Sequence, residues 1–530
     1  MPPYFARIIK RIQGIWRFFM AEEQVSGEAI LPGCDLPAAT KTPQGSETKK
    51  PRLRRINRSQ MILHPVDIER LVPEDHEVRA IWELVGSLDL SCYYDHVDSV
   101  EGNAGAPAFD PRLLISLWVY AYSKGVSSAR EIARLSEYDP AYQWLTGMRP
   151  VNYHTLADFR CTHGESLRQL FIEILAMLTS VGLVSMERVM HDGTRIKACA
   201  GRDTFRGEEA IREHLVRAEG QVKAMEEAPE EEMAPRIKKA RERAVRERKE
   251  RLSHALNQLE KTRKNAQVRV STTDPECRIM GQPDGGYGPS YNVQISTDAR
   301  QKAIVGLSLS QSPADQTLLA SALTEIEATT GKLPHQLVVD AGFTTREAIL
   351  AAEERHIDLI GSFPDAKAGR ETSLRHRGIA EAFHPDKFRF DPERNVYICP
   401  EGKVATFMGR STKKGKTIFS YKVRDCKNCP SKPSCCPKNP KGRYISRLEN
   451  DPPVNAFIKK METDEAKAVY KKRGEVAEFP NAWIKDKFGL RQFRLRGLAK
   501  AGIEALWACL TYNIKLWIRL CWRPRLQPTG

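Results

Sequence analysis

The residues with most chemistry to offer are three carboxylates set far apart along the chain. Val338-Val339-Asp340-Ala341-Gly342-Phe343 is an apolar run that ends in Asp and is followed closely by Gly. A strand entering a core has no use for Asp at its last position unless the carboxylate faces a cleft, so the pattern predicts a side chain presented at a strand's C-terminal edge. A plain turn Asp is the competing reading, since Asp close to Gly is ordinary turn chemistry. Met190-His191-Asp192-Gly193-Thr194 repeats the pattern and predicts a second strand-end aspartate. Glu478 follows on a predicted helix, with Lys485 seven positions further on. Two such aspartates and one late glutamate are what a fold needs to bring three oxygen ligands to a divalent metal centre, and Mg²⁺ favours hard oxygen ligands of this kind.

A second group is sulfur-based. Cys426-Lys427-Asn428-Cys429 spaces two thiols by two residues, which aims both at one tetrahedral Zn²⁺. Cys399 and either Cys435 or Cys436 complete four ligands, in a stretch where Val396–Ile398 and Thr417–Tyr421 read as strands.

Four motifs in order carry a family resemblance: His191-Asp192-Gly193-Thr194; Gly288-Pro289-Ser290-Tyr291-Asn292-Val293-Gln294; the stretch from Val338 to Phe343; and Tyr470, Arg473, Glu478 and Lys485. Over roughly residues 60–520 the chain resembles a bacterial insertion-sequence transposase of the DDE superfamily, in the branch with a helical N-terminal region. The resemblance implies an RNase H-like catalytic core in which Asp192, Asp340 and Glu478 bind Mg²⁺ or Mn²⁺. It implies strand cleavage and strand transfer on double-stranded DNA, at the element's ends and the target site, by a homo-oligomer. Lys485 and Arg473 would then position phosphate or balance charge, and Cys435 would be the fourth zinc ligand beside Cys399, Cys426 and Cys429. A DNA nuclease without strand transfer and a catalytically inactive DNA-binding descendant are the alternatives. Phe479-Pro480-Asn481 departs from the family's usual residues, and Pro480 either kinks the helix or sets Glu478 near its start, leaving Glu475 as a fallback ligand.

Composition agrees with this. A net charge of +16 favours a polyanionic partner. Arg195, Lys197 and Arg202 follow Asp192 closely and, with Lys485, are candidate DNA contacts. No apolar run approaches the length of a membrane span, so no membrane partner is expected. Twelve cysteines, mostly far apart, suit a cytoplasmic protein with reduced thiols, here nucleoid-associated by the resemblance.

The elements that must position these groups give an α/β chain of several parts. Residues 1–60 read as a basic, disordered extension; within it 8–20 mix basic and apolar residues at helical spacing, suited to a membrane surface or to DNA, and a true start beyond residue 20 is a further reading. Residues 61–185 form a helical domain, either a DNA reader or a supporting bundle. Asp110-Pro111 opens a buried helix, a capping box runs from Ser128 to Glu131, and the stretch from Asn152 to Arg160 precedes a long helix through Ala176. The core takes 186–362 and 466–522. A helical-hairpin insertion at 205–270 interrupts it, a cysteine-rich β insertion fills 363–465, and 523–530 is a tail. Within the core, three strands, helix, strand, helix, strand is the RNase H-like order, and Trp507, Trp517 and Trp522 belong to its packing.

Overall fold

The computed structural model describes Met61 and residues 65–526, apart from 98, 100–106, 228–234, 263–267, 283, 363–372, 414–415, 424, 427 and 449–451. The expectations for residues 1–60 and for 527–530 lie outside the described residues. The stretch from Val66 onward forms one compact unit.

Local chemistry explains the helical starts. Asp110 caps Pro111–Ser123 (α1) by accepting from Arg112 N, and Pro111 occupies the first helical position, where its missing N–H costs nothing. Asn152 caps Tyr153–Thr162 by accepting from His154 N. One expectation fails here. Ser128 precedes Ala129–Leu135 without a side-chain cap bond, because Glu131 is taken by Arg134 at 2.9 Å instead of reaching back. The stretch expected to precede a long helix is itself helical over Tyr153–Thr162 and ends at His163 (φ −99°, ψ 46°), whose ring is held among Phe159, Tyr93 and His96. The long helix is Gly164–Ser180 (α2).

The mixed sheet has Arg188–Lys197 (β1) at its centre. Tyr287–Asp298 (β2) runs antiparallel to one side, with Ile304–Ser310 (β3) and the short strand Arg278–Gly281 on its far edge. Gln336–Val339 (β4) and Asp358–Gly361 (β5) follow in parallel on the other side. Leu319–Thr330 (α3) links β3 to β4, and Arg346–Glu354 (α4) links β4 to β5. Leu337, Val338 and Val339 are all buried, as a parallel strand covered on both faces requires.

Arg473–Asp486 (α5) carries Glu478, and Leu498–Trp517 (α6) is the apolar helix that joins the sheet to the N-terminal helices. Asn513 on α6 accepts from Ile304 N (2.9 Å) and donates to Ile304 O (2.8 Å) on β3. Trp507 stacks on Tyr122 of α1 with rings 6.5 Å apart, and Trp118 packs beside it. Each such aromatic removes on the order of 150–250 Å² from water, several kcal/mol at about 25 cal/mol per Å². Arg168 of α2 clasps Glu325 of α3 through two hydrogen bonds.

Two outlying parts branch from this frame. Glu208–Glu227 and Pro235–Thr262 pair as a hairpin, with Arg246 3.6 Å from Glu226 and Lys249 3.8 Å from Glu219. Its small core uses Ile211, Ala218, Leu252, Ala255 and Leu259, while Ala240 and Ala244 face solvent. Between β5 and α5, a five-stranded antiparallel sheet contains Arg389–Asp391, Val396–Ile398, Val404–Lys413, Lys416–Val423 and Tyr444–Leu448. Phe383, Phe388, Tyr421 and Val423 pack there with Cys426, Cys435 and Cys436.

Candidate active site

Asp340 stands where the sequence predicts, immediately after β4. It is also a turn Asp: its Oδ1 accepts from Gly342 N at 2.8 Å, so the strand-end position and the turn chemistry occur together. Asp192 does not end its strand. The β1–β2 ladder runs on to Lys197, with Asp192 opposite Ile295 and Gly193 opposite Gln294. Gly193 is there for space, since a Cβ at that position would lie 2.5 Å from Gln294 Nε2 and 2.8 Å from Asp315 Oδ1. A glycine that reads as a stop instead makes room for a cross-strand amide.

The Asp192 carboxylate is only 18% exposed. Its Oδ1 accepts from Gly193 N (3.0 Å) and lies 3.8 Å from Arg473 Nη1, and its Oδ2 accepts from Asn481 Nδ2 (3.4 Å). Burial raises its pKa to about 6; Arg473 pulls the other way, and the charges of Asp340 and Glu478 push it up further. The three predicted carboxylates are therefore electrostatic neighbours. Glu478 is exposed on α5, and bare Gly474 one turn earlier leaves it room, a Cβ there falling 3.2 Å from Glu478 Oε1. Among the described residues, no group of three or more His, Cys, Asp or Glu side chains is already arranged to hold a metal ion, at this site or among the cysteines.

Pro480 is inside α5, not at its start, so Glu478 sits beyond the first helical turn and the Val476 carbonyl lacks its usual donor. Glu475 is directed elsewhere, exposed and 3.5 Å from Lys302, and does not act as a substitute for Glu478 in this arrangement.

Lys485, one face-repeat along α5, hydrogen-bonds Thr194 Oγ1 on β1. Burial lowers its pKa, Arg491 and Arg195 add to that, and Asp192 opposes it. Arg195 donates to Pro313 O (3.0 Å) and lies 3.9 Å from Asp315. Lys197 and Arg202 converge elsewhere, on the turn at Asp284–Gly286: Lys197 is 3.3 Å from Asp284, and Arg202 approaches Gly286.

Two site residues escaped the sequence reading. Asn481 is three positions after Glu478, a spacing that shares a helix face, and this was the available signal. It is 7% exposed, and its Oδ1 is buried without a partner. Asp315 follows β3 in an unremarked Ser-Pro-Ala-Asp turn and accepts from Asn292 Nδ2 (2.7 Å) and Gln294 Nε2 (3.1 Å). Gln294 Oε1 accepts from His191 Nε2 at 2.9 Å, and burial lowers the His191 pKa to about 4, so the ring is neutral at pH 7.

At the cysteines, Cys399 Sγ accepts from Lys403 N (3.2 Å) and Cys426 Sγ from Arg443 N (3.4 Å). Cys435 and Cys436 are both buried, and burial raises the Cys435 thiol to about 12.

Two stretches match known families. Residues 66–161 match the family described as Transposase domain (DUF772), and residues 398–518 match the Transposase DDE domain. The second contains Arg473, Glu478, Lys485 and the cysteines; Asp192 and Asp340 lie between the two. No curated protein matches the chain. Among solved structures it is similar to a piggyBac transposase synaptic complex with hairpin DNA, studied by cryo-EM, at 10% identity over 87% of this chain and 82% of that one. The TM-score of 0.22 is too low to define a shared fold. Both matched stretches are similar to transposase domains. Together they indicate an insertion-sequence transposase of the DDE type. No helix among the described residues is long and apolar enough to cross a membrane.

Proposed function

We propose that the chain has an RNase H-like core and catalyses strand cleavage and strand transfer of an insertion sequence by divalent-metal-dependent phosphoryl transfer. The observation that carries this is Asp192, half-buried in the middle of β1, with Asp340 and Glu478 pressing on its charge and Arg473 relieving it. The strand order β3-β2-β1-β4-β5, with only β2 antiparallel to β1, supports the RNase H-like reading.

A carboxylate under that pressure takes up a proton or a cation. Asp192, Asp340 and Glu478 would hold Mg²⁺ or Mn²⁺, and the orphaned Asn481 Oδ1 is a further hard oxygen beside them, so the donor set fits. When bound, the metal supplies Lewis-acid activation of water and stabilisation of the leaving 3′ oxygen. Arg473 partly offsets the burial that favours protonation of Asp192. Lys485, oriented by Thr194, offers its ammonium to the scissile phosphate, with Arg195 as its neighbour. Lys197 and Arg202 contact the DNA backbone further out, at the glycine-rich turn. The partner is double-stranded DNA, at the element ends and the target, and joining two ends in one event calls for a homo-oligomer.

The same reading assigns structural Zn²⁺ to Cys399, Cys426, Cys429 and Cys435. Backbone N–H groups directed at two of the sulfurs favour thiolate, and burial makes a bare thiolate at Cys435 costly. A chelator should release zinc and lower the melting temperature; protein that contains no zinc as purified, yet melts unchanged with added zinc, removes this site.

The decisive experiment is Mg²⁺-dependent cleavage and strand transfer on duplex DNA bearing the element's ends. Asp192→Asn is expected to abolish both while sparing DNA binding, and retained cleavage would refute its assignment. Cleavage without transfer by the unaltered chain would leave a nuclease; binding with neither would leave an inactive descendant.

A further inference from the structure

The helix that carries Glu478 also borders a second concavity. A cleft of about 180 Å³ opens between α5, α6 and the five-residue π-helical segment Ile518–Trp522. That is less than the roughly 300–1,000 Å³ of sites for drug-sized molecules and on the scale of a single flat ring, and π-helical turns recur at functional sites. Phe479, next to Glu478, and Trp483, one turn on, line it from α5 with rings 5.4 Å apart; Tyr512 and Leu516 line it from α6.

The charge on the cleft has one sign. Its lining includes Lys515, Arg519 and Arg523 and no carboxylate. Lys515 is committed to Glu77, but Arg519 and Arg523 are exposed and their side chains have no hydrogen bond or ion pair among the described residues. An aromatic and aliphatic floor with two free guanidinium groups at its rim suits a flat ring carrying a phosphate. A base still paired in a duplex cannot enter such a space.

We propose that the cleft receives one unpaired nucleobase of the DNA substrate, its ring against Phe479 and Trp483 and its phosphate against Arg519 and Arg523. This rests on the transposase reading above for its choice of DNA, but the base is recognised by the aromatic floor and not by the carboxylates. The cleft and the reacting phosphate are then served by one rigid helix, so seating the base sets the register of the strand at Asp192.

The test uses the full chain without divalent metal and two probes: single-stranded oligo(dT) of twenty nucleotides, and an abasic strand of the same length with the same phosphates. Stacking contributes about 1–3 kcal/mol per base, so the unaltered protein should prefer oligo(dT) by about tenfold. Trp483→Ala should remove that preference while abasic-strand binding, which reports that the protein is folded, stays the same; Trp483→Phe should restore it. Arg519→Gln with Arg523→Gln should weaken both probes alike and reduce the salt dependence. An unaltered protein that binds the two strands equally, or a preference that survives Trp483→Ala, overturns the proposal. Because no metal is present, a chain inactive in cleavage can pass this test and an active one can fail it, which separates this failure from failure of the catalytic reading.

Discussion

At the scale of single residues, Asp192 is a stability cost kept for chemistry. Its folded pKa of about 6 lies above the ordinary 3.8, so the native state binds the proton more tightly than the unfolded chain does. Stability therefore falls as pH rises from about 4 to about 6 and stays lower above that, a cost of about 3 kcal/mol at about 1.36 kcal/mol per pH decade. Asp192→Asn should raise the melting temperature at pH 7.5 in the absence of metal and do far less near pH 4; equal gains at both would show that the carboxylate is not under this strain. At limiting Mg²⁺, cleavage should rise with pH because the proton on Asp192 competes with the metal, and saturating Mg²⁺ should move that rise to lower pH. The position of Asp340 at the end of β4 was legible in the sequence because an apolar run stops there, although the turn chemistry that it also performs would leave the same trace. Asp192 was found but misplaced, since the following glycine looked like a stop, and the need for Gly193 comes from Gln294 and Asp315, distant in sequence. Asn481 and Asp315 acquire meaning only from what folding sets beside them.

At the scale of elements, β1 to β5 could be read from apolar periodicity, whereas Arg278–Gly281, Arg389–Asp391, Val404–Lys413 and Tyr444–Leu448 could not, because exposed strands of mixed polarity carry little periodic signal. The capping box failed as a competition between side chains, Glu131 choosing Arg134 over the helix start. The small cysteine sheet depends on one glycine. Gly442 has φ +93°, and a Cβ there would lie 2.9 Å from Cys426 Cβ and 3.2 Å from the Val423 carbonyl. Gly442→Ala should destabilise this sheet by about 2 kcal/mol or more, read by urea unfolding with hydrogen exchange at Lys416–Val423, and should leave exchange in β1 unchanged. Loss of protection across both sheets would mean that the two do not unfold separately.

At the scale of the molecule, the N-terminal helices and α6 are tied by a buried charge. Glu77 is 7% exposed and meets both Lys124 (2.7 Å) and Lys515. Burial raises its pKa, but hydrogen bonds from the two lysines outweigh that and leave it lowered, so its contribution is present above the ordinary carboxylate value and is lost as pH falls through the lowered one. Glu77→Ala leaves two ammonium groups facing each other and should cost about 3–5 kcal/mol, measured as a shift in denaturant midpoint. A change below 1 kcal/mol would mean that water already compensates the lysines.

The bond pair from Asn513 to Ile304 and the stacking of Trp507 on Tyr122 also set a timetable. The ribosome releases α1, α2 and β3 long before α6, so those surfaces wait on the nascent polypeptide for a partner still to be translated. A message cut short before Leu498 would yield a sticky, protease-sensitive product, and a finished one would gain its compactness in a late, concerted step.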